Sequence, residues 1–551
     1  MNELVQEKNW LGEKGLWLVF LVYLLVALAS FNRGILLTDE GYQVIFPWLI
    51  SRGEKIYKDY YLHVFPLSFL LQAILVKLFG FKLILFKIYS VLFGIAGFFS
   101  ISYISRKIAP EKFWLISSSL YIFFSNNLFN FTLFSIESKL LLILSLCFGI
   151  AGLDSRKPAH WFGAGFFAAM AGFEYQTLFA IALVELILLC VFLRKKNWRE
   201  LFPPLIAFLS GFLLVSLAIL IYLLHARLLQ ETLQVLFRYT WAKKHVWRQL
   251  VHLIFPLLLV NVLLIIAVKK LWQGKRASRV FALVILFLAL SALIYFWFKF
   301  PKLLPHSLSL LVPTSLFSLS GIYLFDESRD SRLWLVFIIS ILLFLTGLFS
   351  GYNLGYNLTA SILLIPWTGF LVQRWQKASR AKFFGLSPAG LALTVFMFSA
   401  FIYMFIFRTE LDGEVEPIYQ SRFALNLKTA RGIYTSREKK AEMETLVKII
   451  QERTRPDEKI FVFPNHTMLY PLSEREPIPR AIYFFYEIVE LKNLEQAVAD
   501  ALDSRAVVVF QLQNGKIFQP VASKKADELI KKLSESCQEK ILLKNYMVCE
   551  L

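Results

Sequence analysis

Acidic residues are sparse in this chain, cysteine more so, and the loop signatures of nucleotide enzymes are missing. Against 39 Asp and Glu stand 59 Lys and Arg, a formal net charge of +20. Such an excess of base could indicate nucleic acid, but no RNA- or DNA-binding module accompanies it. In a chain that is 57% hydrophobic, with 54 phenylalanines and a mean hydropathy of +0.58, no soluble core absorbs that much apolar surface, whereas many bilayer spans do. Lys and Arg then gather in cytoplasmic loops and orient the spans. Only 4 cysteines occur. Cys147 and Cys190 lie inside apolar runs and read as small buried hydrophobes. Cys537 and Cys549 lie in a polar tail, where a disulfide forms if the tail faces an oxidising compartment; spacing alone does not fix the pairing. No cleavable signal opens the sequence. Met1 to Lys14 is mixed in charge and no small-residue cleavage site follows, so the first apolar run reads as a retained span.

Apolar runs fall at about 16–34, 64–79, 82–104, 112–125, 138–153, 159–173, 175–193, 203–225, 249–268, 279–298, 303–325, 332–350, 356–373 and 387–408. Several are short of the roughly 20 residues a span needs. Charge resolves their parity. Every second connection is basic: Arg106, Lys107 and Lys112; Arg156 and Lys157; Arg194, Lys195, Lys196 and Arg199; Lys269, Lys270, Lys275, Arg276 and Arg279; Arg329 and Arg332; Arg374, Lys377, Arg380 and Lys382. The connections at 126–137, 174–176 and 351–357 carry no Lys or Arg. The basic set belongs in the cytoplasm. With the first span running outward, the 105–112 loop is cytoplasmic only if 64–79 does not cross. That run begins near Pro66, contains Lys77 and reads as an interfacial helix. The expected fold is therefore an α-helical polytopic membrane protein of about 13 spans over residues 1–409, with a first outer loop at 35–81.

Two outward connections depart from the pattern. One, at about 226–248, mixes Arg227, Arg238, Lys243, Lys244, His245 and Arg248 with Tyr239, Trp241 and Trp247, and reads as a second interfacial helix. The other is KFPKLLPH, with Lys302 and His306 held by two prolines. Headgroup anchoring explains such residues; so does a site for a phosphate. From about Glu410 the composition becomes that of a small soluble α/β domain, 410–551, placed outside the cytoplasm. Helical patterns at 437–454, 493–503 and 524–535 alternate with strand-like runs at 458–464, 505–512 and near 540–551. It shows no Gly-rich phosphate loop, metal-spaced His/Cys set or nucleophile motif. No internal repeat stands out.

Carboxylates near a bilayer are costly and usually face a cavity. Under this topology Asp39, Glu40, Glu137 and Glu174 all sit at outward ends of spans. A carboxylate in a partly desolvated pocket can act as a general base on a hydroxyl, and nearby cations can hold a phosphate leaving group. Lys87, one turn into the second span, is such a cation; a snorkelling lysine is the plainer alternative. Asp39 could be a helix cap, Glu40 could be solvated at the interface, and Glu174 reads as structural.

The stretch TDEGYQVIFPWLISRGEKIYKDYYLHVFPL gathers these features. Asp39-Glu40-Gly41-Tyr42, a helix ending at Gly53, the turn Tyr57-Lys58-Asp59-Tyr60 and the run His63-Val64-Phe65-Pro66-Leu67 together resemble the GT-C superfamily of multispanning glycosyltransferases. The resemblance is to the family-39 branch, with the protein O-mannosyltransferases and the lipid A aminoarabinose transferases. It extends over roughly residues 16–410 and is specific over 38–98. It implies transfer of a sugar from a polyprenyl-phosphate carrier to a hydroxyl of a protein, lipid or envelope glycan, on the outer face of the plasma membrane. Asp39 would be the general base, with Glu40 and Glu137 as further acidic catalytic residues. Tyr57, Asp59, His63, Lys87, Lys243, Arg248, Lys302 and His306 would line the donor phosphate or substrate. Lys87 stands where the family usually has Arg, which keeps the charge but loses bidentate geometry; Phe65 replaces one Pro of the family's Pro-Pro pair. No cofactor is implied with certainty and a divalent metal is left open. The competing readings are a transporter or flippase of lipid-linked sugars, which would place ionisable residues at the midplane of inverted repeats, and a non-catalytic assembly protein.

Overall fold

A computed structural model of the chain describes residues 2–109, 114–124, 133–194, 198–242, 330–350, 363, 366–367, 419–478, 480–484, 491–520 and 523–551. Its first part is helical: α1 (Asn2–Ser30), α2 (Asp39–Ser51), α3 (Leu67–Phe79), α4 (Leu83–Ile108), α5 (Trp114–Phe124), α6 (Phe134–Ser155), α7 (Pro158–Glu174), α8 (Leu178–Arg194), α9 (Trp198–His225), α10 (Leu229–Ala242) and α11 (Ser331–Ser350). Among the described residues three helices are long and apolar enough to cross a membrane, Leu83–Ile108, Phe134–Ser155 and Leu201–His225. Shorter apolar helices cover Lys14–Ser30, Leu67–Phe79, Leu178–Leu193 and Ser331–Leu343. The expected spans at 249–325 and 387–408 lie outside the described residues.

Helix α3 has 13 residues, about 20 Å at 1.5 Å per residue, short of a hydrocarbon core of about 30 Å. Phe69, Gln72, Ala73 and Val76 point inward while Ile74, Leu78 and Phe79 are more than half exposed. One apolar face packs on protein and the other is bare. Helix α10 follows the same logic, burying Leu228, Thr232, Val235 and Leu236 along one stripe. Its expected continuation through Lys243 and Arg248 lies outside the described residues. In the bundle, α7 crosses α9 closely enough that a Cβ on Gly165 would strike the Phe208 carbonyl; small residues let membrane helices approach in this way.

The tail is built on a mixed sheet. Strands β3 (Ile460–Phe463), β4 (Val507–Gln513), β7 (Tyr546–Glu550) and β6 (Glu539–Leu542) lie in that order, β3 parallel to β4 and the others antiparallel, with β5 (Lys516–Ile517) hairpinned onto β4. A two-stranded pair, β1 (Phe423–Ala424) and β2 (Tyr434–Thr435), precedes it. Side-chain alternation sorts the two faces. Phe461, Phe463, Val508 and Phe510 pack under α14 (Leu491–Asp503) and α15 (Lys524–Glu535). Ile460, Val462, Val507 and Val509 face the other way, where Met443, Leu446, Val447 and Ile450 of α12 (Arg437–Arg453) join them, as does Leu469 of α13 (Leu469–Ser473). That second core is continuous with Ile35, Leu37 and Tyr42 of the first outer loop. The expected helices and strands of the tail are present, the terminal strand resolving into the β6–β7 hairpin. Cys537 and Cys549 are bonded, and Cys147 and Cys190 are free.

Candidate active site

The segment joining α1 to α2 is extended and is held by the tail. Asn32 O and Gly34 N bracket Tyr434 (2.9 and 2.7 Å), Lys439 Nζ donates to Ile35 O (2.8 Å), and Met468 N donates to Leu37 O (3.2 Å). Helix α2 then starts at Asp39. A Cβ on Gly41 would fall far inside van der Waals contact of Met468 N, so only glycine lets the first turn of α2 lie against the tail. Beyond α2, Tyr61 N donates to Arg480 O (2.8 Å), and Arg52 pairs with Glu476 (2.6 Å). Burial alone would raise the Glu476 carboxyl, but Arg52 and then Lys459 outweigh it and hold it below its ordinary value of 4.5.

Within this frame the acidic pair divides its work. Glu40 is 1% exposed and ion-paired to Lys87 Nζ at 2.6 Å, its other oxygen accepting from Leu36 N (3.0 Å). Lys87 is equally buried, so its charge already has a carboxylate partner. The pair fastens the start of α2 to α4. Asp39, one residue earlier, is only partly buried, and the Tyr483 hydroxyl donates to its Oδ1 at 3.3 Å. The N-terminal partial charge of α2 favours negative charge at both positions.

Glu137 lies deeper. Its oxygens accept from Ser68 Oγ (2.8 Å), Gln72 Nε2 (2.8 Å) and the Tyr89 hydroxyl (3.1 Å). Gln43 Nε2 donates to Ser68 Oγ (2.9 Å) and Gln72 Oε1 (3.0 Å), and Gln43 Oε1 accepts from Phe134 N (2.9 Å). This network joins α2, α3, α4 and α6. Glu174 is fully buried. His63 Nδ1 is 2.7 Å from the Tyr42 hydroxyl, and the Tyr42 ring meets that of Tyr483 edge-on at 5.3 Å. His63 is linked toward Asp39 through these two tyrosines. Tyr57 takes a left-handed φ of +69°, is fully buried and donates to Val64 O (2.5 Å); burial pushes its phenol well above the ordinary range. Asp59 is exposed and caps its own loop through Lys55 N (2.6 Å). Both shape the turn. Lys243, Arg248, Lys302 and His306 lie outside the described residues.

The structure thus pairs Glu40 with Lys87 beside Asp39, while Glu137 belongs to the network that joins α2, α3, α4 and α6. Sequence reasoning missed Tyr483, Met468 and Arg480, which reach the loop from more than 400 positions away; no local pattern marks them. Among the described residues no group of three or more His, Cys, Asp or Glu is placed to hold a metal.

No protein-family model matches this chain, and no curated protein sequence does. Solved structures do. ArnT from Cupriavidus metallidurans in the apo state aligns over 99% of this chain and 98% of its own, at 12% identity and a TM-score of 0.55. The fold is GT-C. The Archaeoglobus fulgidus oligosaccharyltransferase, solved with Zn and sulfate, aligns over 90% of this chain and 68% of its own, at 11% identity and a TM-score of 0.49. AglB from Archaeoglobus fulgidus, solved with an inhibitory peptide and a dolichol-phosphate, aligns over 90% and 69%, at 12% identity and 0.46. The ArnT alignment runs through both the helices and the tail, so the shared fold comprises the bundle and the α/β unit that braces the segment joining α1 to α2.

Proposed function

We propose that the protein is a membrane glycosyltransferase that moves a sugar from a polyprenyl-phosphate carrier to a hydroxyl acceptor on the extracytoplasmic face. One observation carries the reading. Of the four carboxylates at the outer ends of the helices, Glu40, Glu137 and Glu174 are buried, and Asp39 alone is partly open. A general base must reach the proton it removes. In the proposed step the acceptor oxygen attacks the anomeric carbon and Asp39 takes its proton. The bond from that carbon to the phosphate oxygen breaks, and polyprenyl phosphate leaves with the electron pair, inverting the sugar. Glu40 and Lys87 act as positioning residues that fix α2, and Glu137 holds the surrounding helices. Lys243, Arg248, Lys302 and His306 are the proposed cations for the leaving phosphate, with His63, Tyr57 and Asp59 shaping the floor of the loop.

The outward orientation is supported by the alternation of basic connections and by the Cys537–Cys549 disulfide, a bond that persists in oxidising compartments. The deciding assay incubates purified protein with a radiolabelled polyprenyl-phosphate sugar pool and an envelope extract. Asp39→Asn is expected to lose transfer by about 10²–10⁴-fold, the usual worth of a general base. Equal label transfer by wild type and variant would overturn the assignment.

A further inference from the structure

The tail carries a cleft that the transfer site does not use. It opens between α12 and the edge where β4, β5 and the β6–β7 hairpin meet. Its volume is about 840 Å³, and its lining includes Leu37, two residues before Asp39. Small-molecule sites span about 300–1,000 Å³. Charged side chains line the cleft, but the protein engages them itself. Glu438 pairs with Lys544 (3.1 Å), Glu442 accepts from the Asn545 backbone N and Nδ2 (2.9 Å each), and Lys439 donates to Ile35 O (2.8 Å). What remains for a ligand is uncharged: the amides of Gln511, Gln513 and Asn514, and the ring of Phe518. Gln511 Oε1 is a buried acceptor with no hydrogen-bond partner among the described residues, so turning this amide toward the cleft would gain it a bond to a ligand hydroxyl. Tyr546 is held in the wall by the 2.7 Å contact of its hydroxyl with His466 Nδ1.

We propose that this cleft binds a neutral oligosaccharide, the acceptor glycan of the transfer reaction. Amides that both donate and accept, beside an aromatic face, match a polyol with apolar ring surfaces. A phosphate or an acidic peptide would meet Glu438 and Glu442 beside Lys439 and Lys544, with no excess of positive charge to hold it. The acceptor role rests on the glycosyltransferase reading; the binding does not. Leu37 places the cleft next to the start of α2, so a bound chain can extend from it toward Asp39.

The test uses the purified full-length protein in nanodiscs. Saturation-transfer NMR would be run with neutral di- to tetrasaccharides of glucose, galactose, mannose and N-acetylglucosamine, and with inorganic phosphate. Wild type and Asp39→Asn should bind at least one oligosaccharide equally. Phe518→Ala and the cleft-filling Thr445→Trp, at an exposed position of α12, should weaken that binding at least tenfold with unfolding temperatures close to wild type. The proposal is overturned if wild type binds none of the sugars, if both variants bind normally, or if phosphate occupies the cleft instead. Sugar binding without Asp39-dependent transfer would sink the catalytic reading and leave the cleft standing as a glycan site. Transfer without binding would do the reverse.

Discussion

Four consecutive residues, Asp39 to Tyr42, do four different things. Asp39 faces the open side, Glu40 is locked to Lys87, Gly41 makes room for Met468, and Tyr42 bridges His63 and Tyr483. The acidic pair was legible because carboxylates beside an apolar span are rare and costly. Which of the two would stay open was not, since that depends on Lys87 reaching back from α4 and on Tyr483 arriving from the tail. Gly41 is the sharpest test of this contact. Gly41→Ala adds one methyl against a backbone nitrogen that cannot swing aside, so the helix start or the tail must move. The expected loss is about 1–3 kcal/mol, as for other overpacked sites. Thermal unfolding should show it, and sugar transfer should fall with it. Tyr483→Phe removes only a hydroxyl that donates to Asp39, so it should lower kcat with little change in unfolding temperature.

At the scale of elements, α3 was read from charge parity as an interfacial helix, and it has 13 residues. The polar network on its inner face explains how a short helix is kept there. Glu137 accepts three hydrogen bonds, and deleting it strands Ser68, Gln72 and Tyr89 in a buried place. Glu137→Ala is expected to destabilise by about 1–3 kcal/mol for each buried donor left unsatisfied. Glu137→Gln, which keeps the shape and part of the bonding, should cost clearly less; comparing unfolding in detergent for the two variants checks this. In the tail, β3 and β4 were visible as apolar runs because both of their faces are buried, under α12 on one side and α14 and α15 on the other. The two-residue β1 and β2 were not visible, since too few of their side chains are buried to leave a pattern, and β6 and β7 read as one terminal strand because the mostly exposed β6 does not mark the turn between them.

For the whole molecule the informative feature is how the tail sits on the bundle. Its position was not legible from the chain, because the contacts are backbone hydrogen bonds and long-range pairs that leave no trace in composition. Arg52 and Glu476 form one of these clamps, and its pH dependence has a definite sign. Glu476 titrates below its ordinary value of 4.5 when docked, so the clamp is intact above that value and is lost as pH falls through the lower, docked one. Proteolysis of the tail should therefore accelerate in acid, and Arg52→Gln should blunt that acceleration. The expected topology has its own check. A single cysteine introduced as Phe81→Cys, after α3, should react with an impermeant maleimide added from outside, whereas labelling only from inside would mean that α3 crosses.

The hydrogen bonds between residues 32–37 and residues 434–468 also set an order of events during synthesis. The loop bearing Asp39 leaves the ribosome well before the strand and helix that brace it. A nascent or prematurely stopped chain can insert its early helices, but it has neither Tyr483 beside Asp39 nor Met468 over Gly41. Synthesis through residue 483 is thus needed before the loop is braced. Chains stopped short of residue 483 should be present in the membrane and inert.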